Sequence, residues 1–308
     1  MRILIRSLLL VLLMAGAVAC DYSPEKKTTI AVVPKVDDAT VAAAKAAALA
    51  AKDTYDIRVR WDVSRYPTAE AQSELIEKLV AAGVNGILIS CLDAEGVTEA
   101  IDKAVAAGVK VATFDSDAPL SGRSFYIGSD NAAAGTLAAT MLQSLCGEAG
   151  RPTTGIGLFG GIERDTAVQM RLKAFLTTVP DTAALYWSGD VPADGKTQVT
   201  DFLTQNVSLP VNGVVFLSGT TVADGPENIA RLDSLCRAAT DNNGAAAAAV
   251  FFDPSEAVVE YVGRMPHCAA IRQDYEQMVS QGIERLLKVI GGEAVTETEV
   301  YTPVEVVR

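Results

Sequence analysis

The chain has 308 residues, 49% of them hydrophobic and 21% charged, with a formal net charge of −12. Such a composition supports a globular protein with a large core and room for two lobes, and it excludes a disordered, collagenous or polytopic chain. The acidic balance argues against nucleic acid as a partner, because that needs a basic footprint.

At the N-terminus Arg2 and Arg6 precede an apolar run from Ser7 to Val18, short for a membrane span, which ends at Ala19-Cys20. This is the layout of an export signal with a small-residue cleavage site. The tetrapeptide AVAC at 17–20 resembles a bacterial lipobox. That likeness implies a signal peptide over 1–19, lipidation of Cys20, a tether over 20–28, and an exported protein anchored to the bacterial membrane, facing the periplasm or cell exterior. Removing 1–19 takes away Arg2 and Arg6 and no acid, so the charge becomes −14.

From Thr29 short apolar runs alternate with helical stretches. TIAVVP at 29–34 is β-branched and apolar on both faces, as a buried parallel strand is. Thr40 to Lys52 is alanine-rich and free of breakers, hence a helix. Asp56 to Trp61 alternates as a strand does, and Thr68 to Ala82 is helical, closing on Gly83 at the C′ position. GILIS (86–90) is a strand, Ala94 to Ala107 a helix, and VKVATF (109–114) a strand. After YIGSDNAAAG (126–135) an alanine-rich helix runs to Cys146, with Ser129, Asp130 or Asn131 as its cap.

Beyond a Gly/Pro break at 147–154 the alternation restarts. Strands are expected at GIGLFG, ALYW, GVVFLS, AAVFFD and CAAIRQ. Helices are expected near 166–178, 195–206, 227–240, 255–263 and 275–290, with Val300 to Val307 as a final strand. Repeated βαβ units place the chain in the α/β class, as two consecutive doubly wound parallel sheets.

With Cys20 lipidated, Cys91, Cys146, Cys236 and Cys268 remain. Exported proteins can hold disulfides, and Cys236 with Cys268, in consecutive elements of one lobe, is the pair expected to bridge. No cysteines show zinc-like spacing and His267 is the sole histidine, so no metal, cofactor or His-based triad is expected.

Ligand crevices of open α/β sheets lie at the carboxyl ends of the strands. The residues there are Pro34-Lys35, Ser90-Cys91, Asp115-Ser116-Asp117, Gly219-Thr220, Asp253 and Arg272-Gln273, with Arg171 on a nearby helix. They are polar, mixed in charge and spread over both sheets, which suits a cleft holding a small polar solute from two sides. Asp115 and Asp117 stand at i and i+2 and are expected to point the same way. As metal ligands they lack company, since calcium takes about six to eight oxygens. As glycosidase carboxylates one would need a raised pKa. As acceptors for hydroxyl groups they need only donors, each bond contributing roughly 1.5–3 kcal/mol. No catalytic residue is assigned.

IAVVPK, GILIS, AAGVKVATFDSDAP and YIGSDNAAAG resemble the first lobe of the ribose-type periplasmic sugar-binding proteins, the solute receptors of ABC importers. Arg171 followed by Leu-Lys-Ala-Phe, FFD at 251–253 and AAIRQ at 269–273 are similar to the second lobe. The resemblance implies two Rossmann-like lobes joined by three hinge crossovers, the first lobe being 29–128 plus 275–298 and the second 129–274 plus 299–308. It carries hydroxyl-binding roles onto Asp115, Arg171, Asp253 and Gln273, and puts Ser90 in the place of a polar strand-end residue. Pro34-Lys35 with Asp-Ser-Asp is closer to the branch of rhamnose and autoinducer-2 receptors, which adds Lys35.

The departures fall in the specificity loops: Asp38-Ala39-Thr40-Val41 replaces a pair of stacking aromatics, Ser116 an arginine, and Gly219-Thr220 an Asn-Asp pair. Tyr186, Trp187 and Tyr275 could supply the missing stacking, although core packing is the commoner fate of aromatics at such positions. The implied protein is a monomeric, non-enzymatic lipoprotein that binds a sugar or sugar-like molecule and delivers it to an ABC permease. The alternatives are a sensor presenting a ligand such as autoinducer-2 to a membrane receptor, and a glycoside-processing enzyme using Asp115 and Asp117.

Overall fold

The computed structural model describes residues 27–179, 184–186, 212–219 and 247–308, with Ala230 and Asp233. The expected signal peptide, Cys20, most of the tether, the helix over 195–206 and most of that over 227–240 lie outside the described residues, as do Trp187, Thr220 and Cys236.

Two six-stranded sheets organise the described chain. The first contains β1 (Thr29–Val33), β2 (Arg58–Trp61), β3 (Gly86–Ile89), β4 (Lys110–Phe114), β5 (Tyr126–Ser129) and β11 (Glu299–Thr302). Its order is β11-β5-β4-β3-β1-β2, with all pairs parallel. The second contains β6 (Ile156–Phe159), β7 (Ala184–Tyr186), β8 (Gly213–Phe216), β9 (Ala248–Phe252), β10 (Cys268–Gln273) and β12 (Val304–Val307). Its order, β12-β10-β9-β8-β6-β7, repeats the first sheet strand for strand, except that β12 runs antiparallel to β10.

Helices cover both faces. Around the first sheet lie α1 (Ala42–Thr54), α2 (Ala69–Ala81) and α3 (Ala94–Ala106); the second lobe carries α4 (Asn131–Glu148), α5 (Thr166–Thr178) and α6 (Glu256–Val262). The last helix, α7 (Tyr275–Ile290), returns to the first lobe, where Met278, Val279 and Ile283 pack with Ile30, Leu88 and Phe114. Conversely α4 buries Ala138, Leu142 and Leu145 against Leu158, Val215 and Val250 of the second sheet. Central strands are buried on both faces, which is why they read as unbroken apolar runs rather than alternations.

Helix starts follow the capping chemistry of the sequence. Thr68, Asp93, Asp130, Asp165 and Asp274 each accept a hydrogen bond from a first-turn backbone N–H. Gly83 and Gly108 sit at positive φ just past α2 and α3.

The C-terminal stretch differs from expectation. Val300 to Val307 is two strands, not one, and Glu299–Thr302 pairs with β5 in the first sheet, whereas the expected lobe boundaries put residues from 299 on in the second lobe. Pro303 makes the switch: without an N–H it ends one ladder, and the chain crosses there to pair with β10. Cys91 and Cys146 are buried free thiols in different lobes. Cys268 is buried in β10; its expected partner Cys236 is outside the described residues. Among the described residues no helix is long and apolar enough to cross a membrane.

Candidate functional site

The carboxyl ends of β1, β3 and β4 in one lobe face α5 and the ends of β9 and β10 in the other. Lys35 follows β1 and is 7% exposed. Its ammonium has three N–H bonds and three partners: Asp115 Oδ2 at 2.8 Å, Ser116 Oγ at 2.8 Å and Asp165 Oδ2 at 2.5 Å. Ser116 Oγ in turn donates to Asp165 Oδ1 at 2.6 Å, and Ser90 Oγ to Asp115 Oδ2 at 2.8 Å. Burial by itself would lower the lysine pKa, but the charges of Asp115 and Asp165 outweigh it and hold Lys35 above its ordinary range. Burial likewise pushes Asp165 up, and the Lys35 charge outweighs that to hold it below the usual carboxylate value.

The second lobe supplies Arg171, Asp253 and Gln273, all buried. Arg171 donates from Nε to Asn131 Oδ1 and from Nη1 to the Leu217 carbonyl, both at 2.8 Å, and stands 3.5 Å from Asp253 Oδ2. Its guanidinium lies 4.4 Å from the centre of the Phe252 ring. Gly135 makes this placement possible, because a Cβ there would stand 2.3 Å from the Arg171 carbonyl oxygen. Gln273 Nε2 is 3.0 Å from each oxygen of Asp253 and 3.2 Å from Tyr275 Oη, which stands 3.4 Å from Asp115 Oδ1. Burial pushes the Asp253 pKa up, against the charge of Arg171. Two buried polar atoms, Arg171 Nη2 and Gln273 Oε1, meet no partner among the described residues, leaving one donor and one acceptor at the lobe interface.

Both aspartates that end a central strand, Asp115 and Asp253, have positive φ, 58° and 49°. Aspartate tolerates this region better than most residues. The twist ends the strand alternation at Phe114, and so corrects the expectation that Asp115 and Asp117 point together. Asp117 accepts instead from Thr113 Oγ1 at 2.5 Å, the Ala118 N–H at 2.8 Å and Arg123 Nη2 at 2.6 Å. Its carboxylate braces the loop after β4 and shares no partner with that of Asp115. Gly219 abuts the Asp253 backbone, where a Cβ would lie 2.6 Å from the carbonyl; Thr220 lies outside the described residues.

A cleft of about 980 Å³ adjoins this cluster, lined by Thr40 on one side, Asp253 and Ser255 on the other, and Gln273, Tyr275 and Pro303 at the crossovers. Among the described residues no group of three or more His, Cys, Asp or Glu could hold a metal ion. Sequence reading missed Asp165, whose place before Thr166 is fully explained as a helix cap and so hid its second partner. It also missed Tyr126 and Asn131; Tyr275 packs in the first-lobe core, the commoner fate of such an aromatic, and its hydroxyl in addition reaches the site.

The family model for the periplasmic binding protein domain matches residues 30–294. The chain belongs to the periplasmic binding protein family. Solved structures of similar fold include an ABC transporter solute binding protein from Burkholderia graminis in complex with D-arabinose, 23% identical, with TM-score 0.75 over 92% of this chain and 95% of that one. GanP, a glucose-galactose binding protein from Geobacillus stearothermophilus, is 18% identical, with TM-score 0.77 over 92% and 98%. An ABC transporter periplasmic solute binding protein from Actinobacillus succinogenes with bound D-allose is 21% identical, with TM-score 0.73 over 91% and 97%. In this periplasmic binding protein, then, the interlobe cluster lies at the carboxyl ends of the strands, where open α/β sheets form a crevice.

Proposed function

We propose that this periplasmic binding protein captures a sugar or sugar-like solute between its lobes and delivers it to an ABC permease, from a lipid anchor at Cys20. The observation that carries the reading is the buried polar set at the carboxyl ends of both sheets, Asp115 from one lobe and Arg171, Asp253 and Gln273 from the other. These groups supply carboxyl acceptors and a planar donor, the complement of adjacent hydroxyls. Four such bonds, at roughly 1.5–3 kcal/mol each, are enough to reach the −8 kcal/mol or so of micromolar binding. The mechanism is closure over an unchanged solute: a ligand that bridges the lobes stabilises the closed state.

A thermal-shift screen of pentoses, hexoses, deoxyhexoses, polyols and autoinducer-2 tests this, because a ligand of the folded state raises the unfolding midpoint. D-Arabinose and D-allose are the first members, since structures of similar fold hold them. A rise with one class and recovery of that compound unchanged support the reading. No rise with any member, or conversion of the bound compound, sinks it. Cys20→Ala should release the mature protein from the membrane fraction.

A further inference from the structure

The two lobes repeat each other at their crossovers. The Ile127 carbonyl accepts from the Asp115 N–H at 3.1 Å, and the Ile271 carbonyl from the Asp253 N–H at 2.9 Å, so β5 and β10 stand in one register beside the two twisted aspartates. In that register Asp130 matches Asp274, both N-caps, and Asn131 matches Tyr275, each the first residue of a helix that enters the opposite lobe.

Asn131 and Tyr275 also occupy equivalent places in two polar strings. Arg171 Nε donates to Asn131 Oδ1 at 2.8 Å, Asn131 Nδ2 to Tyr126 Oη at 3.3 Å, and Tyr126 Oη to the Asp115 carbonyl at 3.0 Å. In the other string Gln273 Nε2 donates to Tyr275 Oη at 3.2 Å, and that hydroxyl to Asp115 Oδ1 at 3.4 Å. Hydrogen supply balances, since each phenol donates once and accepts once, and the two N–H bonds of Gln273 serve Asp253 and Tyr275. Each string spans a crossover: Tyr126 belongs to the first sheet and Asn131 to a second-lobe helix, Gln273 to the second sheet and Tyr275 to a first-lobe helix. Gly128 admits the first string, because a Cβ there would lie 2.0 Å from Tyr126 Oη. Both strings are buried, where hydrogen bonds are strengthened by low dielectric.

We propose that Asn131 and Tyr275, with Tyr126, are positioning residues that hold Asp115 and Arg171 in solute-holding geometry across the two crossovers. This rests on the solute-binding reading above. The test compares Tyr126→Phe, Asn131→Ala and Tyr275→Phe with the wild type in stopped-flow binding of D-arabinose, or of the sugar with the largest shift in the thermal screen if D-arabinose gives none. Each phenylalanine variant should speed dissociation about three- to tenfold, the loss of one net hydrogen bond, with association kept. Tyr126→Phe combined with Asn131→Ala should lose little more than the worse single change, because they share a string, whereas Tyr126→Phe and Tyr275→Phe should multiply. Unchanged dissociation in both phenylalanine variants overturns the proposal, as does an effect confined to the ligand-free midpoint, the mark of a structural role. A wild type that binds no sugar overturns the solute reading and this inference with it.

Discussion

Lys35 Nζ and Asp165 Oδ2 stand 2.5 Å apart across the lobe interface, and both side chains are nearly withdrawn from water. The pair is a protein-to-protein tie between the lobes. Removing one partner of a buried pair is costly because the other charge stays uncompensated. Lys35→Met should therefore weaken the protein by about 3–5 kcal/mol, since Asp115 and Asp165 would then face each other without a cation. Urea unfolding measures it, and a midpoint within error of wild type would contradict the account.

The same pair predicts a pH window. Asp165 lies below its unfolded value, so its contribution is present above about pH 4 and is lost as pH falls through the lower folded value. Lys35 lies above its unfolded value, so its contribution is present below about pH 10 and is lost as pH rises through the folded value. The stability difference between wild type and Asp165→Asn, which keeps a capping oxygen, should be flat from about pH 5 to about pH 9 and shrink below about pH 4. Thermal unfolding at a series of pH values reads it directly.

Asp115 and Asp117 are separable by mutation. Asp115→Asn removes an acceptor bound by Lys35 and Ser90 at the interface and should lower solute affinity at least tenfold. Asp117→Asn leaves Arg123, a nearly buried guanidinium, facing a neutral amide. It should lower stability by about 1–3 kcal/mol while affinity changes little. Calorimetric titration beside thermal unfolding separates the two outcomes, and the reverse pattern would refute the assignment.

Arg171→Lys is expected to fail as a replacement. The guanidinium serves Asn131 and Leu217 at fixed angles and lies over Phe252, and an ammonium is one point donor in place of that fork. Affinity should fall about as far as in Arg171→Ala. Gly135→Ala should act on the same residue from behind, pushing α4 from α5 and lowering stability by about 1–3 kcal/mol.

Much of this protein is legible in its amino-acid sequence. Buried strands announce themselves as apolar runs, α5 and α7 begin and end where composition and caps place them, and the carboxyl-end positions Lys35, Ser90, Asp115, Asp253 and Gln273 follow from strand order and the topology rule. These are local or periodic properties, so the chain states them by itself. Tertiary structure alone decided which partner each polar group takes. Asp117 turns to Arg123 because a left-handed residue precedes it by two, Asp165 serves a lysine 130 positions away besides its own helix, and Pro303 sends adjacent strands to different sheets. Local pattern carries no record of a contact made across a lobe interface, because the residues that form it are distant in sequence and each already has a sufficient local explanation.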